Sequence, residues 1–301
     1  MRRAHWWLIG GAAGLVLAAA GLWIWQSTAP SSTPEEAALD YLHALESGNP
    51  DAVAATGMKV SRTALDAFDA ATSLIEDAKV TRVREDADGA SAVVDISFRL
   101  DGASQEAQLS LGVVEDRWIV DSAGLGSLTI ESGIGSDVAI GDATIPAGKG
   151  VPLLPATYTV AAAPTTLLDG ESSVSVLPGT KTSATVDVAV RPEATAAAQD
   201  SLDELLETCT APATTEAEGC GIRIPWGTEF RDVTGIRYRI DESPTIALSP
   251  AGFTAEGGVL VATVTGTGQN GEPRTTTYRT DSWSLRGDVS FTADGLVLSP
   301  W

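Results

Sequence analysis

Near the N-terminus the chain carries an unbroken apolar run of 20 residues, Trp6 to Trp25. At about 1.5 Å of rise per residue this makes roughly 30 Å of helix, the thickness of a bilayer core. Trp6 and Trp7 stand at one end and Trp23 and Trp25 at the other, where indole rings favour the membrane interface. Arg2 and Arg3 precede the run, which places the N-terminus in the cytoplasm and everything after Trp25 outside. A cleaved signal peptide is the rival reading, with Ala18, Ala19 and Ala20 as small residues for a cleavage site. Against it, apolar residues continue through Leu22, Trp23, Ile24 and Trp25, and the run exceeds a signal-peptide core of roughly 7–15 residues. No cysteine follows closely, so the run does not read as a lipoprotein signal.

Helical spacing comes next. Residues 26–33 form a short Ser/Thr/Pro/Ala linker. Thr33, Pro34 and Glu36 make a capping box with proline at the first helical position. Ala38, Leu42 and Leu45, flanked by Leu39 and Tyr41, form one apolar stripe that ends at Gly48. Asn49 and Pro50 start a second, short helix that Gly57 stops. Ser61 caps a third, with Leu65, Phe68, Thr72 and Ile75 expected on one face.

Period two then takes over. Val80 to Arg84, Ser91 to Leu100, Gln105 to Val113 and Arg117 to Asp121 read as four strands, with turns at Asp86–Gly89, Asp101–Gly102 and Glu115–Asp116. Helices followed by an antiparallel meander predict an α+β domain over 34–122. Residues 123–192 alternate short Val-, Ile- and Thr-rich runs with Gly and Pro, as in a small β-sandwich. The runs are Ser127–Glu131, Asp137–Ile140, Tyr158–Ala162, Ser173–Val176 and Ser183–Val190. Residues 193–208 return to helical spacing, with Ala197, Leu202, Leu205 and Leu206 apolar. Strands follow near Arg237–Ile240, Thr245–Leu248, Val259–Thr265, Thr275–Thr280, Trp283–Leu285 and Val289–Thr292. The expected fold class is α+β and all-β, multidomain. It comprises a cytoplasmic tail (1–5), a transmembrane anchor (6–25), a linker (26–33), an α+β domain (34–122), a small β domain (123–192) and a disulfide-containing α+β domain (193–301).

Charge narrows the partners. All 40 acidic residues lie beyond the apolar run with 17 of the 19 basic ones, so the outer part carries a formal charge of −23. Nucleic acid needs a basic footprint and is not an expected partner. Acidity of this size reads first as solubility; the alternative is an outer part that stays off anionic headgroups and wall polymers or meets them through cations.

The two cysteines, Cys209 and Cys220, both lie outside, and an oxidising compartment favours a disulfide between them. A metal pair is the alternative, but no histidine lies near and the spacing is not C-x-x-C. No cofactor and no metal are expected.

Catalytic signals are sparse. His43 is the only histidine outside the membrane, so a Ser-His-Asp triad would have to use it, and no G-x-S-x-G elbow occurs. Asp40, Tyr41 and His43 on the first helix are the candidates for a site inside the first domain. Asp86, Asp88 and Gly89 resemble the start of a calcium loop but lack its closing Glu, and a hairpin turn explains them better. Asp200, Asp203, Glu204 and Glu207 have the spacing of paired carboxylates and equally of a solvated helix face. The glycines at 124, 126, 133 and 135 lack the rest of a phosphate loop. Trp118 reads as core. Trp226, Trp283 and Trp301 fall in the last domain and read first as core. An exposed group of them would stack on sugars or grip a partner, and Trp226 is the candidate binding residue.

Two resemblances add to this. The string EEAALDYLHALESGN at 35–49 resembles the first helix of nuclear-transport-factor-two-like domains of bacterial envelope proteins. VEDRWIV at 114–120 is similar to their last hairpin, and together these cover residues 34–122. That resemblance implies a cone-like domain. The order of anchor, linker, a domain with PATYTV at 155–160 and a final α+β domain resembles the extracellular part of teicoplanin-resistance-associated membrane proteins. LDELLETC at 202–209 with Cys220 is like uncharacterised actinobacterial relatives. The chain departs from the better-known members in having only five residues before the membrane run, with no zinc ribbon there.

The expectation is a non-enzymatic single-pass protein of the cell envelope. Its extracytoplasmic domains would bind a cell-wall component or an envelope protein partner. An enzyme with a site in the first domain's cone and a structural spacer are the alternatives.

Overall fold

The computed structural model describes residues 33–211, 219–222, 229–250 and 252–301. The apolar run 6–25, the tail before it, nearly all of the linker and Trp226 lie outside the described residues. Among the described residues, no helix is long and apolar enough to cross a membrane. The described chain is mostly β, with a few helices and several sheets. Its contacts gather it into two compact units, residues up to 59 with 75–124, and residues 60–74 with 125–301.

The first unit is built on helix α1 (Pro34–Ser47). Thr33 caps it by accepting a hydrogen bond from the Glu36 backbone N–H, and Gly48 ends it at φ +66°. Helix α2 (Pro50–Ala55) follows, with the Asn49 side chain accepting from the Asp51 N–H. Strands β1 (Glu76–Glu85), β2 (Ser91–Leu100), β3 (Ala103–Val114) and β4 (Arg117–Val120) form one antiparallel meander in that order. Its turns use the positive-φ residues the sequence offers. Gly89 and Gly102 are left-handed, and so are Asp101, Glu115 and Asp116. Asp86 and Gly89 close a hairpin: the Gly89 N–H donates to the Asp86 carbonyl and the Asp86 N–H to the Ser91 carbonyl, 2.9 Å each. On β2, Ala92, Val94, Ile96, Phe98 and Leu100 are buried and their neighbours are not. Helix α1 packs on this sheet with Ala38, Tyr41, Leu42 and Leu45 inward.

The second unit begins with helix α3 (Arg62–Asp69), capped by Ser61. It buries Ala64, Ala67 and Phe68 and packs on β7 (Ala143–Pro146) and β8 (Val151–Leu153). Leu65 is only half-buried. The expected helical face does not reach Thr72 and Ile75, because the helix ends at Asp69. Beyond it, the Thr72 and Ser73 N–H groups donate to the Thr157 carbonyl. One sheet orders β11 (Glu171–Val176), β9 (Ala156–Ala162), β6 (Asp137–Ile140) and β7; a second orders β12 (Lys181–Val186), β5 (Gly126–Ser132) and β8. β12 runs parallel to β5, and β10 (Leu168–Asp169) pairs with β13 (Ala189–Val190). Tyr158 is fully buried, and its hydroxyl donates to the Leu154 carbonyl at 2.6 Å, closing the turn that enters β9. Burial pushes this phenol far above its usual titration range.

Helix α4 (Pro192–Cys209) turns Ala194, Ala198, Leu202, Leu206 and Cys209 inward. Asp200, Asp203, Glu204 and Glu207 are all exposed, as a solvated face requires. The buried stripe covers a sheet ordered β14 (Phe230–Glu242), β16 (Gly252–Gly268), β17 (Pro273–Thr292) and β18 (Gly295–Pro300). β15 (Thr245–Ser249) pairs with the first half of β16. The Gln199 amide ties the helix to this edge: its Oε1 accepts from the Ile246 N–H at 2.9 Å and its Nε2 donates to the Pro244 carbonyl at 3.2 Å. Cys209 and Cys220 form a disulfide, with their Cα atoms 5.8 Å apart, inside this apolar cluster.

Candidate functional site

Asp40, Tyr41 and His43 do not converge. Asp40 and His43 are exposed on α1. Tyr41 is fully buried, and its hydroxyl donates to the Gly124 carbonyl at 2.9 Å. Gly124 must lack a side chain there, since a Cβ would sit 2.7 Å from Val120 Cγ1 and 3.3 Å from the Tyr41 hydroxyl. The phenol is thus committed to holding the end of the meander. Among the described residues, no group of three or more His, Cys, Asp or Glu side chains is placed to hold a metal ion. Cys209 and Cys220 are joined to one another.

The tryptophans separate. Trp283 is buried in the core under α4, whereas Trp118 on β4 is only half-buried. Trp301 stands 62% exposed, which departs from the expectation of a core residue. Sequence alternation explains the difference: on β18 Leu296 and Leu298 point toward the core and Val297 and Ser299 point out, and Trp301, just past the strand's end, continues the outward row.

Among the described residues, the second unit includes two clefts of about 470 Å³ each. The first is lined by Glu131, Asp137 and Lys149 with loop serines and glycines. The second lies on the solvent side of the last sheet, between Ala247, Gly252, Arg286, Asp288 and Trp301. There the Arg286 guanidinium stacks over the Trp301 indole, 4.7 Å from the ring centroid. The Trp301 N–H donates to the Arg286 carbonyl at 3.1 Å, so backbone and side chain both fix the indole.

Farther along the same sheet, four charged residues form a network. Asp241 accepts from Arg239 Nε at 2.7 Å and from Arg279 Nη1 at 2.5 Å, and Arg279 Nε donates to Asp281 at 2.6 Å. The hydrogen bond from Arg239, then that from Arg279, holds the Asp241 carboxyl below its usual range. A carboxyl with a lowered folded-state pKa stabilises above its unfolded pKa, near 4, and loses that contribution as pH falls through the folded value. The melting-temperature gap between the wild type and Asp241→Asn is therefore expected to be present at pH 7 and to close below about pH 4. Melting curves across pH 2–7, as an approximate window, measure it; a gap that is constant with pH contradicts the assignment.

Comparison with protein-family models, with curated proteins and with solved structures finds no match to this chain.

Proposed function

We propose that this chain is a single-pass, non-enzymatic protein of the cell envelope, anchored through residues 6–25. Its extracytoplasmic part binds a cell-wall component or an envelope protein partner. The observation that carries the reading is the Cys209–Cys220 disulfide, set in a region that follows a bilayer-length apolar run. Disulfides persist in oxidising compartments, which is where that run would deliver the rest of the chain.

The order of parts supports the finer reading. Helices α1 and α2 followed by a four-stranded meander fit a nuclear-transport-factor-two-like cone for residues 34–122. The two sheets of residues 126–186 fit a small sandwich, and helix α4 on a long sheet fits a final α+β domain. These features support the resemblance to the extracellular part of teicoplanin-resistance-associated membrane proteins. An enzyme working through Asp40, Tyr41 and His43 finds less support, because Tyr41 is tied to Gly124 and the other two face solvent.

Crosslinking of the full-length protein in living cells, with mass spectrometry of what is captured, tests the reading. Capture of wall glycan or of one reproducible envelope protein is expected. Turnover of a wall or lipid substrate by the purified protein, well above background, would overturn it.

A further inference from the structure

The register of the last sheet brings a set of polar and aromatic groups into one plane. Ala247, Thr254 and Arg286 are cross-strand neighbours, and Trp301 lies beside Arg286. In the next row on the same face, Ser249, Gly252, Asp288 and Ser299 are neighbours. Thr254, Arg286, Asp288, Ser299 and Trp301 are all exposed. The opposite face carries Phe253, Ala255, Leu285 and Val289, all buried. Period two thus divides the strands into a core side and a decorated side.

Two features make this side a cleft rather than a plain surface. Gly252 has no side chain, which opens a gap between Ser249 and Asp288; a Cβ there would sit 2.9 Å from the Gly287 carbonyl oxygen. Trp301 stands at the margin as a wall, held by the Arg286 stack. The resulting volume, about 470 Å³, lies in the range of small-molecule sites, roughly 300–1,000 Å³.

We infer that this face is a carbohydrate-binding site, in which a pyranose ring lies against the part of the exposed Trp301 indole that the Arg286 guanidinium leaves uncovered, and its hydroxyls bond to Arg286, Asp288 and Ser299. The inference rests on the binding reading above and names its ligand class. An indole offers a flat apolar surface that suits the C–H face of a sugar ring. A guanidinium supplies several donors, a carboxylate supplies only acceptors, and a hydroxyl supplies both. A sugar carries alternating hydroxyl donors and acceptors and can use all three. Charge points the same way. Arg286 and Asp288 offset one another, and the chain as a whole carries −21, so the face does not select a polyanion. An uncharged sugar chain suits it better.

The test uses full-length protein in detergent micelles. A β-1,4-linked tetramer of N-acetylglucosamine is titrated by calorimetry, and the same protein is mixed with purified wall sacculi. The wild type is expected to bind both. Trp301→Ala is expected to weaken tetramer binding about tenfold or more, the loss typical of a central aromatic contact. Arg237→Ala, on a distant exposed part of β14, is expected to bind as the wild type does. If Trp301→Ala lowers the melting temperature, Asp288→Asn, which preserves shape, carries the comparison and is expected to weaken binding. Equal binding by the wild type and both site variants overturns the assignment. Binding to sacculi without binding to the tetramer overturns the sugar inference and leaves the broader binding reading standing. Binding to neither overturns the inference as well, whereas the broader reading falls only if in-cell crosslinking also captures nothing.

Discussion

Tyr158→Ala is expected to destabilise the second unit by about 3–5 kcal/mol, the cost usual for removing a fully buried aromatic side chain. Two terms add. The first is the lost apolar contact and the cavity left at a residue with no exposed surface. The second is the Leu154 carbonyl, which accepts the phenol hydrogen bond and would be left without it. Tyr158 sits on β9, which is flanked by β11 and β6 in the centre of its sheet, and β9 also pairs through Thr157 with the segment after α3. The loss would therefore loosen three neighbours together. Tyr158→Phe separates the terms: it keeps most of the volume and removes only the hydrogen bond, so a cost of about 1–3 kcal/mol is expected. Denaturant unfolding of the three proteins measures both. A Tyr158→Ala protein as stable as the wild type would contradict the packing described for β9.

Replacing Cys209 and Cys220 together with serine is expected to cost about 2–3 kcal/mol on the chain-entropy estimate for so short a loop. The sequence separation is 11. Both cysteines are buried with Leu202, Leu206 and Ile222, so two serine hydroxyls in that cluster would add to the cost. At roughly 2–4 °C per kcal/mol for a unit of this size, the melting temperature is expected to fall by about 4–12 °C. Reductant added to the wild type should give much of the same shift. A melting temperature unchanged by both treatments would mean that the bond does not constrain the fold. Membrane localisation is expected to be the same in both proteins.

How much of this fold was legible depended on local pattern. The strand Ser91–Leu100 is legible to its ends, because alternation is unbroken from Ala92 to Leu100. The three helix caps at Thr33, Asn49 and Ser61 were equally plain, since each side chain closes its own first turn. The spacing predicts a third helix longer than Arg62–Asp69. Phe68, Thr72 and Ile75 keep a helical spacing, but the chain turns at Ala70 so that Thr72 and Ser73 can bond to Thr157, 85 positions away for Thr72. Such a distant partner leaves no trace in the local sequence. The local pattern breaks the last sheet into fragments for a similar reason. Asp281 and Ser282 look like a turn, yet Pro273–Thr292 is one strand. Gly257 and Gly258 look like a break, yet Gly252–Gly268 runs through them with shifted register. Pairing on both sides overrides the weak local preference of these residues.

The cleft was less legible than the fold. Trp301 was expected in the core, because buried tryptophan is the usual case. The signal that places it outside is the alternation Leu296, Val297, Leu298, Ser299, which Pro300 obscures. Arg286 and Asp288 gave no signal of their own. They become a site only when pairing with β16 and β18 sets them beside Gly252, Ser299 and Trp301.

The claim on which the functional account depends is that everything after Trp25 lies outside the membrane. The chain has four lysines, Lys59, Lys79, Lys149 and Lys181; all follow the apolar run and all are exposed. Labelling intact cells with a membrane-impermeant amine reagent, followed by peptide mass spectrometry, reads their location directly. Label on Lys149 and Lys181 without lysis is the result the account predicts. Label that appears on them only after the membrane is broken would contradict it.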